Sequence, residues 1–371
     1  MTRMSLFFAA GLLLAQPATA LELEDLGRTL FFDVNLSKNR TQACATCHDP
    51  EFGFADPRGM TSLGDDGASL GNRNAPTVTY AALTPDFHQR SDGAWAGGQF
   101  WDGRANRLED QAGGPPLNPI EMGMPDKASV VARLKENPEY VGAFEALFAD
   151  GILEDPEAGY AAMTQAIAAF ERLPELSPFD SKYDRYRRGE AQLTREEELG
   201  MLLFFSPQFT NCNQCHQLNR GNIVERETFT NHEYHNIGVP ENGPMLETTA
   251  ADTSAPDGGL AANPQIGHGP ETGKFRVPTL RNVAVTGPYM HNGIFEDLRT
   301  VVLFYNKYNT KSEARRINPE TGLAFGAPEA AENISMTELT DGPALDDRRV
   351  DALVAFLKTL TDARYEPLLE D

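Results

Sequence analysis

The chain has 371 residues, four cysteines and a net charge of −22. That length allows two domains with a core each. So acidic a balance disfavours nucleic acid and anionic membrane surfaces as partners; it would steer a protein with a basic patch, or simply keep the chain in solution.

The first segment reads as a secretory leader over residues 1–20: Arg3, an apolar run from Leu6 to Ala15, then Ala18-Thr19-Ala20 as cleavage site. The run is too short to span a membrane, and no later stretch is long enough. A soluble, exported chain starting near Leu21 is expected.

Two motifs use every cysteine. Leu26-Gly27-x-x-Leu30-Phe31-Phe32 precedes Cys44-Ala45-Thr46-Cys47-His48, and Leu199-Gly200-x-x-Leu203-Phe204-Phe205 precedes Cys212-Asn213-Gln214-Cys215-His216. A lone Cys-x-x-Cys could be a redox dithiol or half of a zinc site. Twice over, with His adjacent and no cysteine to spare, the spacing is that of c-type haem attachment. Each cysteine pair can form thioethers to the haem vinyl groups, with His48 and His216 as proximal iron ligands. Two covalent haems are expected, and no thiol remains for a disulfide despite the oxidising compartment. The Gram-negative periplasm, where such haem is attached, fits best.

Each half repeats further phrases in the same order. Ala75-Pro76-Thr77-Val78 answers to Val277-Pro278-Thr279-Leu280, and the closing pattern Ala166–Leu173 to Ala352–Leu360. Such ordered self-similarity indicates duplication of one haem-binding unit rather than a short-period solenoid. The seam is expected in Pro174–Thr194, giving domains at 21–180 and 181–371. Helical periodicity runs through Ser129–Leu147, Tyr160–Leu173 and Arg195–Phe205, and through the stripe Val350, Leu353, Val354, Leu357, Leu360 behind Asp346 and Asp347. Gly59–Asn74 and Pro240–Gly273 read as loops. The expected fold is all-α: two cytochrome c-like domains with long loops, the haem serving as core.

Function depends on what faces each iron from the other side, since an open iron binds peroxide or oxygen and a closed one transfers electrons. His88, His232, His235, His268 and His291 lie outside the haem motifs, and none falls within Gly59–Asn74.

Arg73-Asn74-Ala75-Pro76-Thr77, Gln99-Phe100-Trp101-Asp102-Gly103-Arg104, Phe275-Arg276-Val277-Pro278-Thr279-Leu280-Arg281-Asn282 and Gly287-Pro288-Tyr289-Met290-His291-Asn292-Gly293 resemble motifs of the bacterial dihaem cytochrome c peroxidase family. The resemblance runs from about Leu26 to Tyr365. Conventional members close the second haem with a methionine some fourteen residues beyond the last histidine, where this chain has Tyr305. That resembles the MauG branch, whose second haem has His–Tyr ligation. Tyr305 could also be core, as it extends the apolar stripe Leu298, Val301, Val302, and Tyr308 is a rival ligand. A tyrosinate implies a low potential, because its charge stabilises oxidised iron.

The resemblance also implies an open first haem, with Gln111, Pro115 and Glu121 as its distal pocket and Glu121 as acid–base; on sequence alone Glu121 could be a solvated loop residue. It implies that Trp101 relays an electron hole between the haems, where packing is the alternative. Trp95 has no such support. Asn74, Thr286 and Pro288 match a calcium site, although Asn74 could equally cap a turn.

Three functions follow from the resemblance. In the first, hydrogen peroxide generates two oxidising equivalents as high-valent iron, shared by the haems, which oxidise a partner protein at a distance. In MauG that partner is the methylamine dehydrogenase precursor, whose tryptophan tryptophylquinone is thereby completed. The second is a peroxidase fed by a small cytochrome c or a cupredoxin, and the third a dihaem electron carrier. One departure stands against the first: Thr210 occupies the place of MauG's surface tryptophan, with Tyr183, Tyr186 and Phe209 as nearby aromatics.

Overall fold

Gly27 and Gly200 set the frame of the two halves. The computed structural model describes residues 22–249, 256–267 and 269–369; the leader and His268 lie outside them. Helix α1 (Leu23–Phe31) crosses α6 (Pro156–Glu171) so closely that a Cβ on Gly27 would stand 1.8 Å from the Ala166 carbonyl oxygen. Helix α8 (Arg195–Phe205) crosses α12 (Asp347–Lys358) in the same way, with Gly200 1.9 Å from the Ala352 oxygen by the same measure. Only glycine admits backbones this close.

Between these pairs run α2 (Cys44–Cys47), α3 (Leu108–Ala112), α4 (Lys127–Lys135), α5 (Pro138–Leu147), α7 (Lys182–Arg187), α9 (Gly243–Thr249), α10 (Leu298–Asn306) and α11 (Met336–Thr340). Strand content among the described residues is three two-stranded antiparallel ribbons: β1 (His88–Gln89) with β2 (Trp95–Ala96), β3 (Tyr234–His235) with β4 (Phe275–Arg276), and β5 (Ile317–Asn318) with β6 (Leu323–Ala324). The helical expectation holds, with local corrections.

The helix starts follow side-chain chemistry. Thr194 and Glu197 form a reciprocal capping box on α8, and the Asp346 and Asp297 carboxylates accept from the Arg349 and Thr300 amides to start α12 and α10. The single helical pattern over Ser129–Leu147 is in fact two helices. Asn137 caps α5 and Pro138 takes its first position, where its missing N–H costs nothing. Pro240–Gly273 is not all loop, since it contains α9 and a 3₁₀ turn at Leu260–Ala262. The seam Pro174–Thr194 is likewise no bare linker; it folds α7 and buries Ser181, Tyr183 and Asp184.

One core lies under α1, α4, α5 and α6, centred on Leu30, Phe31, Leu134, Phe144 and Phe170. A second lies under α8, α10 and α12, centred on Phe204, Phe229, Leu353 and Phe356. Buried polar bonds tie the seam and the halves together. Arg281, fully buried, binds Asp184 of α7 through both terminal nitrogens at 2.5 and 2.9 Å, and its Nε donates to the Glu227 carbonyl at 2.8 Å. Across the halves, the Tyr80 hydroxyl donates to Asp362 at 2.6 Å, and Asp362 also accepts from Asn282 at 2.8 Å.

Gly27→Ala is expected to destabilise the protein by at least about 2 kcal/mol, because the new methyl has nowhere to go. Chemical denaturation followed by far-ultraviolet circular dichroism measures it; a change within about 0.5 kcal/mol would mean that the crossing is looser than described.

Candidate active site: two cavities with a shared wall

The two Cys-x-x-Cys-His motifs each form one short turn at the mouth of a separate cavity. Cys44, Cys47 and His48 line the first, of about 250 Å³. Cys212, Cys215 and His216 line the second, of about 200 Å³. No disulfide joins the four cysteines.

Both histidines are held alike. His48 Nδ1 lies 3.2 Å from the Phe54 carbonyl, and His216 Nδ1 lies 3.2 Å from the Phe229 carbonyl. A carbonyl only accepts, so Nδ1 carries the proton and Nε2 keeps its lone pair for a metal. Burial lowers both imidazole pKa values, His216 to about 4, which keeps the rings neutral. The Pro-Thr phrases brace this arrangement: the Thr77 hydroxyl donates to the Gly53 carbonyl and Thr279 to the Thr228 carbonyl, each one residue before the histidine's acceptor. Phe54 and Phe229 both take left-handed backbone, φ 55° and 54°.

Gln111, Pro115 and Glu121 all line the first cavity. The amides of Asn118 and Met122 both bond back to the Pro115 carbonyl, and the Asp65 amide holds the Glu121 carbonyl at 2.7 Å. This folded-back stretch brings the Glu121 carboxyl inward. Burial raises its pKa, against the opposing charge of Arg104 and a hydrogen bond from Asn118. A carboxyl that holds its proton more firmly than a solvated one suits proton exchange.

Tyr305 lines the second cavity, and its hydroxyl has no hydrogen-bond partner among the described residues. Tyr308 does not line it; its hydroxyl donates to the Ile237 carbonyl at 2.9 Å. His235 and His291 also border this space: His291 Nε2 is engaged by Glu329 at 3.1 Å, whereas His235 bonds Ser335 through Nδ1 at 3.1 Å and leaves its buried Nε2 without a hydrogen-bond partner among the described residues.

Trp101 borders both cavities. Its indole N–H donates to the Asn74 carbonyl at 2.9 Å, and its own carbonyl accepts from the Arg276 amide at 2.9 Å. Trp95 lines neither cavity and stacks on Phe87 at 5.1 Å. Asn74, Thr286 and Pro288 come together along the first cavity. Among the described residues no three His, Cys, Asp or Glu side chains gather to hold a metal, so a calcium there would rest on neutral oxygens.

Two residues given no role from sequence also face these spaces. Arg276 borders both cavities without a carboxylate partner among the described residues, and burial lowers its pKa. His232 borders the first cavity, 4 % exposed, with neither ring nitrogen bonded among the described residues. A half-buried cation whose only side-chain hydrogen bond among the described residues is Nε to the Phe100 carbonyl at 3.5 Å, and a buried imidazole with no partner, fit the carboxylates that a haem brings. Arg276 stands inside a quoted motif, so it was findable; nothing in sequence connects His232 to a cavity that it reaches from the other half. Of the aromatics near Thr210, Tyr183 is buried and Phe209 is 45 % exposed, while Thr210 itself is buried and donates to the Leu203 carbonyl at 2.6 Å.

A mainly helical chain enclosing two Cys-x-x-Cys-His cavities with a common wall has the architecture of a dihaem redox enzyme. A family model described as di-haem cytochrome c peroxidase matches residues 22–192. The methylamine utilization protein MauG of Paracoccus denitrificans is 55% identical over 94% of this chain and 91% of its own. Cytochrome c551 peroxidase of Pseudomonas aeruginosa is 32% identical over 81% and 76%. Among solved structures, the dihaem peroxidase BthA of Burkholderia thailandensis superposes with a TM-score of 0.80 at 33% identity, covering 94% of this chain and 88% of that one. The chain belongs to the dihaem cytochrome c peroxidase and MauG family, oxidoreductases with two haems. No helix among the described residues is long and apolar enough to cross a membrane.

Replacing Arg276 with Gln removes a cation common to both cavities. Both haem midpoint potentials are expected to fall, since a nearby positive charge disfavours oxidised iron. Spectroelectrochemical titration reads this directly; two unmoved potentials would place the haem carboxylates elsewhere.

Proposed function

We propose that the protein is a MauG-type enzyme: it uses hydrogen peroxide to withdraw electrons from residues of a partner protein, without bringing them into either cavity. Maturation of tryptophan tryptophylquinone in a methylamine dehydrogenase precursor is the form we infer from the resemblance to MauG, and the relative at 55% identity is named as a methylamine utilization protein. The observation that carries the reading is Tyr305, an unpartnered hydroxyl facing the second cavity where conventional members have methionine.

In this reading Cys44, Cys47 and His48 would hold one haem, and Cys212, Cys215 and His216 the other, each neutral imidazole offering its unprotonated nitrogen as a ligand. The bound haems supply peroxide activation at an open iron and storage of two oxidising equivalents. Glu121 takes a proton from the incoming peroxide and returns it to the departing oxygen, with Gln111 and Pro115 shaping the space beside it. Tyr305 would supply the phenol oxygen that ligates the second haem. Trp101, at the wall between the cavities, carries electrons across by transient oxidation of its indole. Asn74, through its amide oxygen, and the carbonyls of Thr286 and Pro288 would hold a calcium ion, water completing its shell. The halves 21–180 and 181–371 are haem units related by duplication, supported by the matching glycine crossings and histidine braces. Residues 1–20 direct export to the periplasm.

One observation favours the second reading, a peroxidase fed by a small cytochrome c or cupredoxin. Thr210 is buried, so the chain has no surface tryptophan there to pass electrons in from a large substrate. A plain dihaem electron carrier needs strong ligands closing both irons.

Electron paramagnetic resonance of the ferric protein is expected to show one high-spin and one low-spin haem. Tyr305→Phe should alter the low-spin signal; an unchanged spectrum would remove Tyr305 as the ligand. Glu121→Gln is expected to slow the reaction with peroxide by about 10²–10⁴-fold. Turnover with a reduced small cytochrome far above any oxidation of a protein substrate would select the second reading.

A further inference from the structure

Glu171 is a buried carboxyl in the wall of the first cavity to which no role has been given. It is the last residue of α6 and 5 % exposed, with no hydrogen bond or ion pair among the described residues. A carboxylate there is disfavoured by desolvation, by the lack of donors and by the negative end of the helix. Burial accordingly pushes its pKa up to about 8.

The second half contains a natural control. Ala166 lies under Gly27 as Ala352 lies under Gly200, and five residues further along each helix stand Glu171 and Leu357. Each lines its own cavity. Leucine satisfies the packing at this position, so packing alone does not call for the acid.

The surroundings give Glu171 an inside and an outside. On the outer side are Glu109 of α3 and Arg172, paired at 2.7 Å, with Arg172 46 % exposed; both act electrostatically on Glu171. On the inner side, Glu171 and Glu121 both act on the Cys44 thiol, and Arg104 acts on Glu121. The other charges on packed elements are engaged: Arg28 of α1 lies over the Phe170 ring and pairs with Glu175, and Lys127 and Lys135 of α4 pair with Glu157 and Glu154.

We propose that Glu171 is the proton-entry residue of the first cavity, passing protons from the surface at Glu109 and Arg172 to the peroxide site that Glu121 serves. This rests on reading the first cavity as the peroxide site. Reducing one hydrogen peroxide to two waters breaks the O–O bond and takes up two electrons, from the oxidised protein partner, and two protons. Glu121 moves a peroxide proton between oxygens but adds none, so both protons come from solvent. Neutral Glu171 releases one inward through cavity water and regains one from outside, twice per peroxide. It touches no reacting atom and acts through Glu121.

The test uses the full-length, haem-loaded protein, turning over hydrogen peroxide with a reduced small cytochrome c as electron donor across pH, for Glu171→Gln, Glu171→Leu, Glu171→Asp and Glu121→Gln. Glu171→Leu copies the second half and is expected to load both haems. Gln and Leu should slow the reaction about tenfold or more, and Asp should restore most of the rate. The wild-type rate should fall above about pH 8 as Glu171 ionises, and the Gln and Leu variants should lose that limb. Infrared spectra should show a protonated carboxyl band, sensitive to D₂O, that Glu171→Gln removes. Wild-type rates and pH profile in both Gln and Leu variants would overturn the relay, provided Glu121→Gln is slow. If Glu121→Gln is also fast, the reading of the first cavity fails instead.

Discussion

A backbone carbonyl accepting the Nδ1 proton of each motif histidine is the contact on which the rest depends. A histidine one residue after a cysteine turn could point in several directions and exist as either tautomer. The carbonyls of Phe54 and Phe229 select one of each. Thr77 and Thr279 brace the preceding peptide in each half, which holds those carbonyls in place. Burial then keeps the rings neutral, so each leaves a lone pair available to a metal. The same device, a second shell that orients the first, recurs in metal sites generally.

Around that common device the two cavities are furnished differently. The first collects polar and ionisable side chains: Glu121, Gln111, Glu171 and His232. The second sets Tyr305 and Leu357 in a more apolar lining. Burial of an acid costs stability, and the cost falls on one cavity only. Two helices that pack alike thus present an acid to one cavity and a leucine to the other.

The common wall makes one unit of two cavities. Trp101 and Arg276 are joined through their backbones, and both residues border both spaces. Trp101 belongs to the first half of the chain and Arg276 to the second, so the wall exists only when the halves dock. The Tyr80–Asp362–Asn282 network fixes that docking, while the buried Arg281–Asp184 pair fastens the seam helix to the second half. Breaking either would leave a buried charged or polar group unpaired, which is far costlier than never having built it.

Local chemistry was legible in the sequence: the two haem motifs, the repeated phrases around them, and the helices whose caps and periodicity lie within a few residues. The helix read across Ser129–Leu147 failed on one local rule, the proline at 138. Tyr305 and Glu121 were reached by resemblance, because a tyrosine in an apolar stripe and a glutamate in a loop carry no local sign of a cavity. The fold ties the Tyr308 hydroxyl to Ile237 and leaves that of Tyr305, in the second cavity, without a partner among the described residues. Arg276, His232 and Glu171 became visible in the same way. By itself the sequence determined which groups can bind haem, since attachment needs only five consecutive residues. Tertiary structure alone decided which side chains meet at each cavity, because those contacts join residues far apart in the chain whose partners, or lack of them, no local pattern records.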